Sequence, residues 1–360
     1  MSERQALVVG GGPAGAATAI HLVRSGVTPL VIERVAQPAD ALCGGFLSWR
    51  TLDLLAGLGI TRAMLGGHEI SHLRLVAGAA DYAVTLPTPA MGVSRRRLDT
   101  LLLDRAKGIG AQVRYAAARF DDGRIILNDG EVLAAESIFL ATGKHDLRGL
   151  ARPHAAAGTD PMVGLRWRVT PHATLRALLD GHIELHLFPH GYAGMTLHED
   201  GSANLCLAVR KSRLAAANGS PAMLLEQWAE TNRHFGARCA DITADAAFDA
   251  IGHLPYHWRA LAGTTGIFRV GDQAGVIASL AGEGIGIALA SAAEAVACWR
   301  GGGAAAAPMF QRRFGARLAK PIRTARLIST LSETRSGARL LGNLSRIPGA
   351  FSWMASATRV

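Results

Sequence analysis

The first 35 residues alternate between apolar runs and a glycine-rich segment. Residues 6–9 are apolar, residues 10–15 contain four glycines and a proline, and small side chains continue through residue 22. A second apolar run at 29–32 ends at Glu33. This pattern predicts a strand, a tight loop, a helix and a second strand that ends in an acid.

The glycine spacing in that loop suits a dinucleotide. Gly10 permits a tight turn, Gly12 lets the backbone approach a pyrophosphate, and Gly15 lets the helix pack closely on the strand. The free N–H groups at the helix start would face the phosphates. Glu33 can accept hydrogen bonds from a ribose diol and disfavours a 2′-phosphate, so the segment predicts FAD or NAD rather than NADP. The alternative is a structural glycine turn.

Three later segments have a related pattern. Residues 137–141 predict a strand that ends in the turn Thr142-Gly143, and residues 267–270 predict a strand that ends in Gly271-Asp272. Glycines alternate from residue 282 to 286, and a small-residue helix is predicted from there through residue 297. Arg95 precedes Leu98 and Asp99 at a predicted helix start.

These motifs, in this order, resemble the p-hydroxybenzoate hydroxylase and geranylgeranyl reductase superfamily of FAD enzymes. The resemblance implies that Asp272 binds the ribityl chain of FAD and that Arg95 reaches the cofactor. It also implies that the backbone around residues 282–285 faces the flavin pyrimidine, where N–H donors stabilise negative charge on reduced flavin. The predicted cofactor-binding residues are Gly10, Gly12, Pro13, Ala14, Gly15, Glu33, Arg34, Arg95, Thr142, Gly143, Asp272, Gly282, Glu283, Gly284 and Ile285.

The resemblance implies an α/β fold with interleaved domains. A Rossmann-type FAD-binding domain, similar to that of glutathione reductase, is expected from residues 1–70, 94–155 and 250–305. A β-sheet substrate domain is expected from 71–93 and 156–249. Residues 306–360 are expected to form a basic amphipathic helical tail, because apolar residues recur there at helical spacing with arginines between them.

Three residues are candidates for catalysis. Cys43-Gly44-Gly45 resembles a segment of geranylgeranyl reductases that runs near the flavin, which makes Cys43 a candidate proton donor or substrate contact. Residues 184–194 resemble a strand that lines the substrate cavity of those reductases. Alternation places Glu184 and His186 on one face of that strand, where they could act as general acid or base. The alternatives are a small apolar residue in a glycine turn for Cys43 and a solvated sheet face for the other two.

Composition and charge narrow the function classes. Hydrophobic residues make up 49% of the 360 residues, which excludes a disordered chain. The net charge is +10, and residues 308–360 hold ten of the cations and one acid. That tail would cover the cavity, rest on an anionic membrane, or dock an acidic partner such as an acyl carrier protein. No nucleic-acid recognition motif accompanies the charge, so nucleic acid is not an expected partner.

The sequence does not predict a disulfide scaffold, a metal site or a membrane-spanning helix. Four isolated cysteines and scattered histidines predict neither a disulfide scaffold nor a metal site. Neither a signal peptide nor a membrane-spanning run of 18 apolar residues is predicted, so a cytoplasmic location is expected, with peripheral membrane contact as the alternative.

The leading functional hypothesis is an FAD-dependent monooxygenase acting on a hydrophobic aromatic, polyketide or phenolic-lipid substrate. NADPH or NADH is the expected transient reductant, although Thr142-Gly143-Lys144 stands where aromatic hydroxylases of the superfamily carry a D-G motif implicated in NAD(P)H contacts. A separate flavin reductase or the substrate itself would serve instead. Two alternatives remain: a flavin ene-reductase of the geranylgeranyl reductase type and a non-redox cyclase that keeps FAD as a scaffold.

Overall fold

A five-stranded parallel sheet is the first layer of the fold in the computed structural model, which describes residues 4–153, 156, 158–243, 245–347 and 349–360. In spatial order its strands are β16 (Ile267–Arg269), β10 (Ala135–Leu140), β1 (Arg4–Val9), β2 (Leu30–Glu33) and β6 (Gln112–Tyr115). The inner strands are covered on both faces, which explains their continuous apolar runs. This is the Rossmann-type sheet that the sequence predicts.

Two small-residue helices pack together on one face of this sheet. They are α1 (Pro13–Arg24) and α9 (Gly284–Gly302), and α4 (Arg95–Gly108) packs beside α1. Alanines dominate the buried side of α1 and much of α9, so the two helix backbones can approach closely. Each of the two helices begins directly after a glycine-rich loop, so both helix N-termini lie at the same edge of the parallel sheet.

A three-stranded antiparallel sheet covers the opposite side. Its strands are β7 (Ala118–Asp121), β8 (Arg124–Leu127) and β9 (Val132–Leu133). The sequence predicts a meander that starts at residues 113–117, and this detail is wrong. Residues 112–115 instead form β6 at the edge of the parallel sheet, because Val113 pairs with Val31 of β2.

The second layer is an eight-stranded mixed sheet. In spatial order it contains β15 (Phe248–Leu254), β11 (Met162–Val169), β14 (Ala203–Arg210), β13 (Gly191–Leu197), β12 (Gly181–Phe188), β4 (His68–Ala77), β5 (Ala80–Gly92) and β3 (Phe46–Leu47). All neighbours are antiparallel except β12 and β4. Helices α2 (Trp49–Leu58) and α3 (Arg62–Leu65) lie between β3 and β4 in the chain, and α2 packs against both α9 and β5.

The domain boundaries stay predictions, and the large sheet extends past some of them. Strand β3 and the first residues of β4 fall within residues 1–70, and β15 crosses the boundary predicted at residue 250. The chain therefore enters the large sheet earlier, and leaves it later, than the expected ranges.

Short helices cover the back of the large sheet, the side that faces away from the parallel sheet. They are α5 (Ala173–Leu179), α6 (Lys211–Ala216), α7 (Pro221–Thr231) and α8 (Arg233–Cys239). Residues 221–239 form two helices rather than one, because the Asn232 side chain accepts a hydrogen bond from the Phe235 N–H and starts α8. Phe188 of β12 stacks on Trp228, with ring centroids 4.1 Å apart. The back of the sheet is thus closed by packed aromatic rings.

The C-terminal residues form four helices: α10 (Ala307–Arg317), α11 (Ala319–Ser332), α12 (Arg335–Ser345) and α13 (Ala350–Ala357). Phe310, Phe314, Leu318 and Ile322 are buried in the core of the first layer. Helices α11 to α13 pack on one another, and α12 and α13 contact the large sheet. The helical tail predicted from its apolar spacing is present, and it lies against both layers. In the part of the chain that the structure describes, no helix is long and apolar enough to cross a membrane.

Candidate active site

One cavity of about 870 Å³ lies between the two layers. Its floor is formed by the carboxyl ends of the parallel strands and the starts of α1 and α9, its roof by the front of the large sheet. Helices α11, α12 and α13 contribute a further wall. A crevice at the carboxyl ends of parallel strands is the usual ligand site of such sheets.

The first glycine loop shapes one end of the cavity. Gly10 has φ +105°, and its N–H donates to the Ile32 carbonyl over 2.8 Å. A Cβ on Gly15 would lie 1.7 Å from the Gly10 carbonyl oxygen, so Gly15 is needed for packing and does not line the cavity. A Cβ on Gly12 would meet nothing closer than Arg95 Nη2 at 3.5 Å, and Gly12, Pro13 and Ala14 face the cavity. The space in front of Gly12 therefore suits a pyrophosphate at the start of α1.

Glu33 and Arg34 line the same end of the cavity. The Glu33 carboxylate accepts hydrogen bonds from the N–H groups of Gly11 (2.6 Å) and Val35 (3.0 Å), which fix it at the end of β2. A carboxylate held there can accept from a ribose diol of a nucleotide bound at Gly12.

Arg95 enters the cavity from the first turn of α4. Its guanidinium forms a two-point ion pair with the Asp99 carboxylate, with N···O distances of 2.8 and 2.7 Å. Ser94 caps this helix and is itself held by the Glu199 carboxylate of the large sheet. Asp99 also lines the cavity, and its place in the sequence, four residues after Arg95, is the signal that identifies it.

The turns at Thr142-Gly143 and Gly271-Asp272 meet at the centre of the cavity, where Thr142, Gly143 and Asp272 line it. Gln273 is fully buried, and its Nε2 donates to the carbonyls of Gly143 and His145, both at 3.0 Å. Gln273 therefore holds the two turns together, a structural role that the sequence did not predict. Its only sequence signal is its position directly after Asp272.

The start of α9 closes the far end. Gly282 has φ +63°, and Gly282, Gly284 and Ile285 line the cavity. Glu283 does not, which corrects its predicted place among the cofactor-binding residues. Its buried carboxylate pairs with Arg359 at 2.7 Å, so Glu283 instead anchors the C-terminal residues behind the loop.

Two cysteines line the cavity. They are Cys43, which was expected near the flavin, and Cys206. The Cys43 carbonyl accepts hydrogen bonds from Asn204 Nδ2 and from the Cys206 thiol, both at 3.0 Å. Burial raises the pKa of the Cys206 thiol to about 12, so this group is a neutral donor. The structure thus brings Cys43 to the site, and its part in catalysis remains a prediction.

A hydroxyl cluster, Tyr192, Ser279 and Tyr256, is the main polar feature of the roof and was missed. Both phenol groups hydrogen-bond to the Ser279 Oγ, and all three residues line the cavity. Burial raises the pKa of Tyr256 to about 12 and that of Tyr192 well above its ordinary value, so both phenols stay protonated near neutral pH. The three residues come from β13, the segment after β15 and the turn before α9, and no local motif marks them.

Glu184 and His186 lie on the wrong face of the sheet for catalysis. Their β12 neighbours Ile183, Leu185 and Leu187 line the cavity, whereas Glu184 and His186 point to the back and are fully buried. The structure therefore corrects both their predicted catalytic role and the alternative of a solvated face. The shared face was predicted correctly from alternation, but alternation does not say which face is covered by what.

Behind the sheet, Glu184 is the centre of a buried charge cluster with Arg74, His186 and Arg238. Arg238 donates to both carboxylate oxygens at 2.9 Å, His186 Nε2 lies 3.0 Å from Oε2, and Arg74 also donates. Burial alone would raise the pKa of the Glu184 carboxyl, but the bonds and charges of His186 and Arg238 hold it well below its usual range. This cluster is a structural ion network.

Known proteins share both sequence and fold with this chain. Residues 3–146 match the family model described as an FAD binding domain. A menaquinone reductase of Mycolicibacterium smegmatis is 24% identical over 82% of this chain and 76% of its own. A 4-methyl-5-nitrocatechol 5-monooxygenase of Burkholderia sp is 26% identical over 36% of this chain and 26% of its own.

A solved structure extends the likeness to the fold. PqsL of Pseudomonas aeruginosa, in complex with 2-aminobenzoylacetate, has a TM-score of 0.73 at 16% identity and covers 94% of this chain and 100% of its own. At that identity the likeness shows the fold alone. Together with the family match, it confirms the α/β FAD-binding fold that the sequence predicts.

Metal ligands were not expected. Among the residues that the structure describes, no group of three or more His, Cys, Asp or Glu is arranged to hold an ion. The absence of a metal stays a prediction.

Proposed function

We propose that this chain is an FAD-dependent monooxygenase for a phenolic or other aromatic substrate with a long apolar part, since residues 3–146 match the FAD binding domain family. The observation that carries this proposal is the hydroxyl cluster, which joins the mostly apolar roof to the turn directly before the loop that starts α9. A ligand that fills this cavity needs one polar end and a large apolar surface. Phenolic lipids and aromatic polyketides have that form.

The cofactor site fits FAD. Gly12 and the start of α1 can hold the pyrophosphate, Glu33 the adenosine ribose, Asp272 the ribityl chain and the start of α9 the flavin pyrimidine. When bound, FAD would supply the redox chemistry of a monooxygenase, in which a reductant such as NADPH, a proton and O₂ would yield a substrate with one added oxygen atom and one molecule of water. NADPH or NADH is the proposed reductant, with a separate flavin reductase as the other source of electrons.

The hydroxyl cluster is proposed to bind the polar end of the substrate. A substrate hydroxyl or carbonyl oxygen can accept a hydrogen bond from one of the two phenols while the other phenol keeps its bond with Ser279 Oγ, so that each phenol stays paired. Because the pKa of Tyr256 is raised to about 12, the cluster can donate to a substrate oxygen across the neutral pH range. Fixing this end sets which ring position faces the flavin loop.

The apolar residues of the cavity are proposed to hold the rest of the substrate and to exclude water. Leu185 and Leu187 of β12 face Ile328 of α11 and Leu341 of α12 across the same cavity. Exclusion of water protects the activated oxygen from loss before it reaches the substrate. The inner side of the tail thus covers the cavity, which is one of the three roles expected for it. This role does not depend on what the outer surface contacts.

The test is oxygen transfer to a defined probe. The FAD-loaded protein would be mixed with pentadecylresorcinol, NADPH or NADH, and isotopically heavy O₂, and the products analysed by mass spectrometry. The proposal predicts a product with one heavy oxygen atom, formed in proportion to bound FAD. Tyr192→Phe should lower this rate about tenfold, the loss of one buried hydrogen bond, and Tyr115→Phe, at an exposed phenol, should not change it.

A reductase is the second candidate, favoured by one observation. The menaquinone reductase aligns over most of this chain, and Cys43 lies in the cavity as the likeness to geranylgeranyl reductases implies. This candidate predicts that menaquinone gains two hydrogen atoms under anaerobic conditions with a reductant, and that pentadecylresorcinol gains no oxygen. Conversion of a probe with neither O₂ nor reductant would favour the non-redox cyclase instead.

A further inference from the structure

The cavity does not account for the outer surface of the tail. Each of α11, α12 and α13 turns one side toward the cavity, with Ile328, Leu341 and Met354 as examples. At 100° per residue, the exposed positions of each helix fall on the opposite side. We define these exposed positions, together with Ile347 in the segment that joins α12 to α13, as the outer face of the tail.

The outer face combines exposed apolar side chains with cations. Leu327, Leu340, Ile347 and Trp353 are 61%, 48%, 53% and 67% exposed, and Trp353 and Leu327 are the two most exposed large apolar residues that the structure describes. The exposed cations of the outer face are Lys320, Arg323, Arg326, Arg335 and Arg339, whereas Arg346 packs over the Tyr82 ring of β5 at 4.7 Å. Exposed apolar residues that are grouped and rimmed by polar residues are typical of a surface that contacts a protein or a membrane.

Among the described residues, these cations have no acidic partners. The only acid between residues 308 and 360 is Glu333, and Arg210 of β14 holds its carboxylate at two points, 2.9 and 3.1 Å. None of the ion pairs between described residues includes any of the five outer-face cations. The charge of this surface is therefore available to an external anion.

We propose that the outer face of the tail docks on an anionic lipid bilayer. Cations attract the anionic headgroups, and leucine and tryptophan side chains enter the boundary between headgroups and acyl chains. Tryptophan is the residue most typical of that boundary. The inner sides of these helices line the apolar cavity. If their outer sides rest on lipid, the cavity lies next to the bilayer in which a lipophilic substrate dissolves.

The favoured partner is a bilayer rather than an acidic protein because of how the apolar residues are spread. They occur on three successive helices and alternate with cations, as on helices that lie in a membrane interface. An acidic carrier protein would pair with the cations but would leave Leu327 and Trp353 without an evident partner of their own. The proposal holds whether the cavity oxygenates or reduces its substrate.

Vesicle sedimentation of the FAD-loaded full chain tests the proposal. The expected result is binding to mixed phosphatidylglycerol–phosphatidylcholine vesicles, weakened by salt, and little binding to phosphatidylcholine alone. The triple variant Arg323→Gln, Arg326→Gln, Arg339→Gln should bind about fivefold more weakly for each cation removed. The matched control Arg300→Gln, Arg312→Gln, at exposed cations outside the three helices, should bind like the wild type.

A second pair of variants tests the apolar part. Leu327→Ser with Trp353→Ser should lose most binding, whereas Leu261→Ser, at a residue 54% exposed elsewhere, should not. Trp353 fluorescence, taken as the difference from Trp353→Phe, should shift to the blue on anionic vesicles. Retained flavin absorbance shows that each variant is folded. Equal binding to neutral vesicles, no binding to either, or binding to an acyl carrier protein without binding to vesicles would overturn the proposal.

Discussion

The two faces of strand β12 serve different purposes. Ile183, Leu185 and Leu187 face the cavity and carry no ionisable group, whereas Glu184 and His186, one residue away, belong to a buried charge cluster. The face with the residues most typical of acid–base chemistry is structural, and the apolar face belongs to the site. A residue next to a cavity residue in the sequence therefore need not belong to the site, because successive residues of a strand point to opposite faces of the sheet.

The largest effect is expected on the back face. Glu184→Gln leaves the buried Arg238 guanidinium without its carboxylate partner and the partly buried Arg74 with Asp81, 3.7 Å away, as its remaining ion pair, so the free energy of unfolding should fall by about 3–5 kcal/mol. The flavin content and the rate per bound FAD should stay at wild-type values below the unfolding temperature. Chemical denaturation followed by far-ultraviolet circular dichroism measures the first and flavin absorbance the second. A loss below about 1 kcal/mol would show that the cluster contributes little.

The same face predicts a pH dependence. The folded pKa of Glu184 lies below its unfolded value of 4.5, so ionisation of Glu184 adds stability above that pH, and this stability is lost as the pH falls through the folded pKa. The difference in unfolding free energy between wild type and Glu184→Gln should therefore be constant from pH ~7 to ~5 and shrink at lower pH. A difference that grows on acidification would contradict the cluster assignment.

Gly12→Ala is the matching test on the cavity side. Gly12 has φ −68°, which alanine adopts freely, and its Cβ would have room among the protein atoms but would occupy the pyrophosphate space. FAD affinity should fall about a hundredfold, roughly 2.7 kcal/mol, while the unfolding free energy of the FAD-free protein stays near the wild-type value. Gly57→Ala, on an open helix surface, is the control that should alter neither quantity much.

The smallest of these effects is expected from Leu185→Trp. A larger side chain at this position fills the part of the cavity assigned to the substrate, so the KM for a long-chain probe should rise about tenfold, or roughly 1.4 kcal/mol. FAD content should stay unchanged, because Leu185 lies on the large sheet and not on the glycine loops. An unchanged KM in steady-state kinetics would place the substrate elsewhere, and Leu261→Trp serves as the exposed control.

The sequence could predict the cofactor end better than the substrate end. The glycines at 10, 12 and 15 act through backbone geometry within one loop, so their spacing alone carries the information. Tyr192, Ser279 and Tyr256 come from three segments far apart in the chain, and only the fold brings them together. For β12 the period of two fixed that Glu184 and His186 share a face, but the side of the sheet depends on which helices cover it. Glu283 was misassigned because its partner, Arg359, comes from the far end of the tail.

The most direct test uses Gly12→Ala and Glu184→Gln and measures two properties of each: the flavin content at an FAD concentration that just saturates the wild type, and the unfolding free energy after FAD has been removed. The account predicts that the two properties separate: Gly12→Ala loses flavin and keeps its unfolding free energy, and Glu184→Gln loses stability and keeps flavin. Gly12→Ala purified with full flavin, or Glu184→Gln that is folded but free of flavin, would contradict the assignment of the site to one face and the structural cluster to the other.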